Sequence, residues 1–385
     1  MLALTFDVGN IWLDSLLGLV TMVLLMTLVV LMLIYVERKV AARMQMRLGP
    51  MRVGPHGTLQ TLADAIKLVG KEDLRPASAN RWVFELAPFA IFVPAFMAFV
   101  VIPFTRDWVV AFLDLGLLYI IAVGGLSFIG FLMAGWASDN KYALLGAMRA
   151  AAQLVSYEIP MVLALLSIAM VTGTLNLTSI VGFQDKVPLI VWQPLAFYIF
   201  LVATLAELER QPFDIPTAES EVVGGPFIEY SGIRWSMFML ASYANLFIYS
   251  LLGSAVFLGG WEWPFGSDAG LWLQILLTVL KTSFLILLFI WIRFTLPRLR
   301  IDQLMSYCWK VLVPLGFLQV LINGFVLVYE WPDGLLLPFS GAGLLLAGYI
   351  TYKAVRVEPR SLRMVPKPAT ATAPPPSVPA PAELS

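Results

Sequence analysis

Long apolar runs separated by short polar segments make up most of the chain. A helix needs about 20 consecutive, mainly apolar residues to cross a hydrocarbon core of ~30 Å. Nine stretches approach or exceed this length: roughly 14–36, 82–104, 114–136, 144–172, 189–207, 235–258, 271–293, 307–329 and 334–352. The last is short and contains Pro338 and several glycines, so eight spans are the alternative. The pattern predicts an all-α polytopic membrane protein of nine, or else eight, transmembrane helices.

The basic residues predict the orientation of these helices, because loops rich in Lys and Arg stay in the cytoplasm. If the loop after the first span is cytoplasmic, 22 of the 25 Lys and Arg residues fall on that side. Arg106 and Lys186 fall on the opposite side, and Lys281 lies within a span. We therefore expect a multi-pass protein of the inner (plasma) membrane, with its N-terminus outside and its C-terminus in the cytoplasm.

Two predicted cytoplasmic loops, 37–81 and 208–234, are too long to be connectors alone. In the first loop, apolar residues with the spacing of one helical face are Leu59, Leu62, Ala63, Ile66 and Val69. This spacing predicts an amphipathic helix, on the membrane surface or under a partner. We expect residues 1–352 to form a single transmembrane domain. The remainder, 353–385, has a stretch rich in Pro, Ala, Thr and Ser, which predicts a largely disordered cytoplasmic tail.

Composition agrees with the membrane assignment and excludes several functions. Hydrophobic residues make up 59% of the chain and charged ones 13%, with a mean hydropathy of +0.84 and no net charge. Without a basic excess to neutralise phosphates, a nucleic-acid partner is not expected. One cysteine, Cys308, cannot hold an iron–sulfur cluster, and one histidine, His56, cannot provide two haem or metal ligands. No metal or redox cofactor is therefore expected on this chain.

Ionisable residues within membrane spans are costly and generally mark a functional path. Glu158 lies in the middle of span four, about 14 residues or ~21 Å from the start of the helix. It is interpreted either as half of a structural ion pair or as a proton-accepting site. Lys281 lies within span seven and requires a carboxylate or carbonyl partner.

Further acids cluster at the end of span five and in the loop beyond it: Glu207, Glu209, Asp214, Glu219, Glu221 and Glu229. Glu207 and Arg210 have the i, i+3 spacing of a helical ion pair, and Pro212 and Pro216 break the helix around Asp214. A charge run is usually a solvated face. Closely spaced carboxylates can also share protons, as a relay requires. The sequence leaves both interpretations open.

Several motifs occur in a familiar order over residues 30–310. They are Glu37-Arg38-Lys39, Gln45-Met46-Arg47-Leu48-Gly49-Pro50, Val53-Gly54-Pro55, Leu62-Ala63-Asp64-Ala65-Ile66-Lys67, Lys71-Glu72, Lys141-Tyr142 with Arg149, Ser156-Tyr157-Glu158, Pro212-Phe213-Asp214, Glu229-Tyr230-Ser231, Arg293, Pro297-Arg298 and Asp302-Gln303. With these motifs the chain resembles the H-subunit family of bacterial complex I, the NADH:quinone oxidoreductase, which corresponds to mitochondrial subunit 1.

The resemblance implies a subunit that couples quinone reduction to proton pumping and has no redox centre of its own. Quinone is then a substrate, and FMN and iron–sulfur clusters belong to partner subunits. The implied partners are the peripheral-arm iron–sulfur subunits at the quinone site, the small and the antiporter-like membrane subunits, and membrane lipid.

The resemblance also implies roles for individual residues. Those implied for the quinone cavity are Glu37, Arg38, Arg47, Asp64, Glu72, Arg293 and Arg298. Those implied for the proton path are Glu158, Glu207, Asp214, Glu219, Glu221 and Glu229, with Arg149 and Arg210 as charge partners. Two departures from the family concern this path. Thr217 stands where the family often has glutamate, and Glu209 is an acid where a neutral residue is common.

Two rival functions remain open. Homologous membrane subunits serve ferredoxin- or F420-linked dehydrogenases and membrane-bound hydrogenases, and the electron donor binds outside this chain. A secondary transporter is a more distant alternative, which predicts internal repeats and paired broken helices. The sequence shows no self-similar halves.

Overall fold

The computed structural model describes residues 11–264 and 270–355, and within these ranges every regular element is helical. The α-helices in order are α1 (Ile11–Met44), α2 (Gln60–Val69), α3 (Arg81–Phe99), α4 (Gly116–Gly125), α5 (Ser127–Ala137), α6 (Lys141–Thr172), α7 (Leu177–Phe183), α8 (Leu189–Trp192), α9 (Pro194–Glu207), α10 (Glu219–Val222), α11 (Gly232–Phe257), α12 (Leu271–Thr295), α13 (Ile301–Tyr307), α14 (Val313–Val328) and α15 (Leu336–Val355). A π-helical turn, Cys308–Leu312, joins α13 to α14.

Seven helical units in the described part of the chain are long and apolar enough to cross a membrane. They are Leu16–Met44, Arg81–Phe99, Gly116–Ala137, Lys141–Thr172, Gly232–Phe257, Leu271–Thr295 and Ile301–Val328. Two shorter apolar helices, Pro194–Glu207 and Leu336–Thr351, coincide with the predicted spans five and nine. The all-α polytopic fold is therefore confirmed. Most of the predicted tail, from residue 356 onward, lies outside the described residues.

Helix α6 lies at the centre of the bundle, where it packs against α5, α9 and α14. It begins after Asn140, whose side chain accepts a hydrogen bond from the amide of Tyr142, and ends at Gly173 in the left-handed conformation. These are a favourable N-cap and C-cap. α6 therefore carries Glu158 into the interior of the bundle.

Pro160 lies within α6 and lacks the amide hydrogen that would bond the carbonyl of Ser156. The thiol of the buried Cys308 donates to that carbonyl, at an Sγ to O distance of 3.0 Å. An unpaired buried carbonyl would cost free energy, so the cysteine compensates for the proline. The contact also ties the π-helical turn to α6, two residues before Glu158.

The predicted amphipathic helix is confirmed as α2, and its apolar stripe is exposed. Leu59, Leu62, Ile66 and Val69 are all exposed large hydrophobic residues. The opposite face carries Asp64, which is bound to Arg38 of α1. An exposed apolar stripe on a charged helix agrees with a position on the membrane surface or under a partner.

Lys281 finds the carbonyl partners that its position in a span required. Its Nζ atom lies 2.7 Å from the carbonyl oxygen of Leu258, 2.6 Å from that of Gly260 and 2.7 Å from that of Trp263. All three ammonium hydrogens are therefore used, and the loop after α11 is fastened to α12.

We expect Lys281→Met to lower the free energy of unfolding by about 2 kcal/mol, because three carbonyl groups lose their donor. The measurement is the melting temperature of the purified subunit in detergent. Lys186→Met, which removes an exposed cation from the same side, should leave the melting temperature unchanged. Equal melting temperatures for wild type and Lys281→Met would contradict the fastening role.

Candidate functional site

Helix α9 ends at Glu207 in a Schellman motif. The chain then turns into the acidic segment, residues 208–234, which carries the remaining clustered acids. The amide of Arg210 donates to the carbonyl of Leu205, and the amide of Glu209 donates to that of Ala206, the pattern that defines this motif. Glu209 has the left-handed φ of 49° that the motif uses. Because the helix does not continue, Arg210 leaves the face that carries Glu207. The predicted Glu207–Arg210 pair is therefore wrong.

Arg210 pairs instead with Glu37 of α1, and Glu37 also accepts a hydrogen bond from Arg293 of α12. The Arg210 Nη1 to Glu37 Oε2 distance is 2.6 Å, and Arg293 Nη1 donates to the other carboxylate oxygen. Arg210 and Glu37 are each only 5% exposed. Burial lowers the pKa of Arg210, but Glu37 and Tyr243 together raise it by more, so the guanidinium keeps its charge. One buried carboxylate thus joins three distant chain segments.

Arg210 also lies over the ring of Tyr243, with 4.5 Å between the guanidinium carbon and the ring centroid. This cation–π contact places the charge against α11 as well as against α1. The guanidinium is therefore fixed from two sides.

Asp214 is held between Arg298 and Thr217. The Arg298 Nη2 to Asp214 Oδ2 distance is 2.8 Å, and the hydroxyl of Thr217 donates to Oδ1. Pro212 and Pro216 lie in a segment without regular helix, as expected of helix breakers. Thr217 thus adds a hydrogen-bond donor to Asp214 and no second carboxylate.

Glu207 and Glu209 each keep one buried carboxylate oxygen without a hydrogen-bond partner, Oε2 and Oε1 respectively. Burial, and then the charge of Asp214, raise the pKa of Glu209 from 4.5 to about 8. A carboxyl group with such a pKa can exchange a proton near neutral pH.

Two cavities meet at Glu207. The larger, with a volume of about 140 Å³, is lined by Glu207, Glu209, Arg210, Asp214, Thr217 and Arg293, by Tyr243 and other residues of α11, and by residues of α3 and α5. The smaller, about 10 Å³, is lined by Glu207, Glu158, Gly125 and Tyr249, together with apolar side chains. A volume of ~10–15 Å³ is enough for one water molecule.

Gly125 allows Glu158 to approach α4 closely. A Cβ atom at this position would lie 2.5 Å from Glu158 Oε1, well inside any normal contact distance. Tyr249 lies on the other wall of the same small cavity. The carboxylate of Glu158 is therefore enclosed between α4, α6, α9 and α11.

The other sequence-predicted residues lie outside these two cavities. Arg38 pairs with Asp64 at 2.6 Å, and Arg149 pairs with Glu221 at 2.5 Å. Glu229 accepts a hydrogen bond from Asn140 at 2.7 Å. The side chains of Glu72 and Glu219 are exposed, and Arg47 lines a separate cavity at the end of α1. The structure thus brings Glu158, Glu207, Asp214, Arg210, Glu37, Arg293 and Arg298 together and leaves the remainder around them.

Sequence reasoning missed three residues of the site. Tyr249 and Tyr243 carry phenol groups within an apolar span, a signal that a search for charged residues passes over. Gly125 gives no signal, because only the position of Glu158 shows why a side chain is excluded there.

The raised pKa of Glu209 predicts how stability depends on pH. Between about pH 4.5 and pH 8, the folded protein keeps a proton on Glu209 that the unfolded chain releases. This contribution to stability is present below about pH 4.5 and is lost as the pH rises through about 8. Glu209→Gln mimics the protonated carboxyl, so it should raise the melting temperature above pH 8 and have little effect below pH 5.

The measurement is the melting temperature of the purified subunit at both pH values. The exposed Glu219→Gln serves as the matched control and should leave both temperatures unchanged. A Glu209→Gln effect of equal size at the two pH values would contradict the prediction.

Among the residues that the structure describes, no group of three or more His, Cys, Asp or Glu side chains could hold a metal ion.

Comparisons with known proteins agree on one family. The family model described as NADH dehydrogenase matches residues 17–324. The H subunit of the NADH-quinone oxidoreductase of Brevibacillus brevis is 48% identical over 297 residues, which cover 77% of this chain and 88% of that protein. The protein of the same name from Geobacillus kaustophilus is 46% identical over 332 residues (84% and 94%). That of Carboxydothermus hydrogenoformans is 44% identical over 330 residues (82% and 93%).

Proposed function

The chain belongs to the NADH dehydrogenase family and is a membrane subunit of complex I, and on this premise we propose that it forms the membrane side of the quinone chamber. We further propose that it couples quinone reduction to proton translocation through a chain of acids. Other subunits of the enzyme complex are its partners.

The observation that carries the proposal is the position of Glu207, which lines both cavities. On one side it adjoins Glu209 and Asp214, and on the other it adjoins Glu158. Carboxyl groups in such a series can exchange protons through one another or through single water molecules. The series leads from the acidic segment into the interior of the bundle.

The proposed quinone site lies at the opening of the larger cavity, beneath the peripheral-arm subunits. A quinone takes up two electrons and two protons to become a quinol, and the electrons come from iron–sulfur clusters of partner subunits. Arg293 and Arg298 supply positive charge next to Glu37 and Asp214. Positive charge at this place stabilises the negative charge that develops on the quinone oxygens.

Quinone reduction then changes the charge beside Asp214 and Glu209. Because carboxyl groups that lie close together titrate as a unit, this change alters proton occupancy of Glu207 and, through it, of Glu158. The ion pairs of Arg210, Arg293 and Arg298 keep the helices in place. Glu207 and Glu209, which have no such pair in the described part of the chain, change protonation. Protons pass from Glu158 to the adjoining antiporter-like subunits. In this proposal, the end of the bundle that carries most of the Lys and Arg residues faces the cytoplasm.

Purification of the native complex through a tag on this chain tests the proposal. We expect peripheral iron–sulfur subunits and an NADH-binding flavoprotein to co-purify, together with quinone reductase activity that requires this chain. Iron–sulfur partners without that flavoprotein would favour a ferredoxin- or F420-linked donor. A chain isolated without any iron–sulfur partner would contradict the proposal.

A further inference from the structure

A cavity of about 400 Å³ lies at the end of α1, apart from the two cavities that Glu207 lines. Three cations line it: Lys39 and Arg43 on α1, and Arg47 in the segment that follows α1. None of the three forms an ion pair with a carboxylate among the residues that the structure describes. Three uncompensated cations around one cavity favour an anionic ligand.

The contacts that these cations do make leave most of their donors available. The Nζ atom of Lys39 lies 3.0 Å from the thioether sulfur of Met51, a weak acceptor. The Nε atom of Arg47 donates to Gln45 at 2.7 Å, which leaves its two terminal nitrogens available to a phosphate. The cavity therefore resembles a phosphate-binding site in its chemistry.

An apolar groove adjoins this cavity, and Val36 lines both. The groove has a volume of about 450 Å³ and runs along α1 from Val36 to Met22, against α11 and α12. Fourteen residues of helix span ~21 Å, more than the ~15 Å thickness of half a hydrocarbon core. The groove is therefore long enough for one acyl chain.

The outer face of α1 continues the apolar surface beside the groove. Leu28 and Met32 are 68% and 69% exposed. Met32 lies about one helical turn before Tyr35, and Leu28 about two turns before it, on the same face, since residues three or four apart stack along a helix. A second acyl chain can lie here while the headgroup remains at the cations.

We propose that the cationic cavity and the apolar groove together form a specific site for an anionic phospholipid. Its phosphodiester binds between Lys39, Arg43 and Arg47, and its acyl chains lie along α1 from Val36 towards Met22. The long tail of a quinone could fit the groove, but its uncharged head has no need of three cations. The site goes beyond the proposed coupling role and does not depend on it.

The test uses the assembled complex in phosphatidylcholine nanodiscs that contain a trace of a photoreactive lipid. Phosphatidylglycerol and phosphatidylcholine probes carry the same photoreactive acyl chain, and peptide mapping then measures labelling of α1 between Met22 and Val36. We expect the anionic probe to label this stretch at least several-fold more than the zwitterionic probe. Equal labelling in the wild type would overturn the proposal without any variant.

The double variant Lys39→Gln/Arg43→Gln should abolish the anionic preference, since each cation near the membrane surface contributes about fivefold and two together about 25-fold. Lys67→Gln/Lys71→Gln removes two cations from the same loop but outside the cavity, so it should keep the preference. If the double variant fails to assemble, raised salt on the wild type replaces it and should weaken the preference. Displacement of the anionic probe by a long-chain quinone would assign the groove to the quinone tail and overturn the proposal.

Discussion

Glu158→Gln should lower the NADH:quinone oxidoreductase activity of the assembled complex by about tenfold or more, because a glutamine side chain cannot take up or release a proton. The carboxylate is enclosed between four helices, and Glu207 lies between it and the larger cavity. Glutamine has nearly the same shape, so the fold should be retained. Glu207→Gln should have an effect of similar size for the same reason.

The measurement compares two activities of one preparation. NADH oxidation with an artificial acceptor depends on the partner subunits alone and should be unchanged. Glu330→Gln, which changes an exposed acid at the far end of α14, serves as the control for a carboxyl-to-amide change. Wild-type quinone reductase rates in both Glu158→Gln and Glu207→Gln would exclude the proposed path.

Glu37→Gln should prevent stable assembly of the subunit, with a loss of about 3–5 kcal/mol in stability. The substitution leaves the buried Arg210 and the half-buried Arg293 without their shared carboxylate. An unpaired buried charge is far more costly than the loss of a surface pair. The measurement is the amount of this subunit in membranes and in the purified complex.

Glu85→Gln is the matched control, since Glu85 forms ion pairs with Arg75 and Arg81 at the protein surface. It should cost less than about 1 kcal/mol. The double variant Glu37→Gln/Arg210→Gln should lose less stability than the two single variants added together, because it removes both members of the pair. Strict additivity would show that the pair has no energetic coupling.

The sequence by itself determined the fold class and the places of the long apolar helices. A helix that crosses a membrane must form all its backbone hydrogen bonds internally, over about 20 apolar residues. Each span is therefore visible in a short, continuous stretch of sequence. The same local logic predicted α2 from five apolar residues, and it predicted that Lys281 needs a carboxylate or carbonyl partner. It also singled out Glu158 as an unusual carboxyl group within a span.

Only the tertiary structure decided which charges pair. Glu37 lies 173 residues from Arg210 and 256 from Arg293 in the chain, and no local spacing connects them. The expected Glu207–Arg210 pair assumed a continuous helix, whereas the Schellman turn at Glu209 sends Arg210 towards α1.

The same limit applies to the two cavities and to Gly125, which depend on how closely α4, α6, α9 and α11 approach one another. Helical periodicity fixes which residues share a face, but which faces meet depends on packing between distant segments. The acids were therefore readable from the sequence, while which of them line the same cavity depended on the packed bundle.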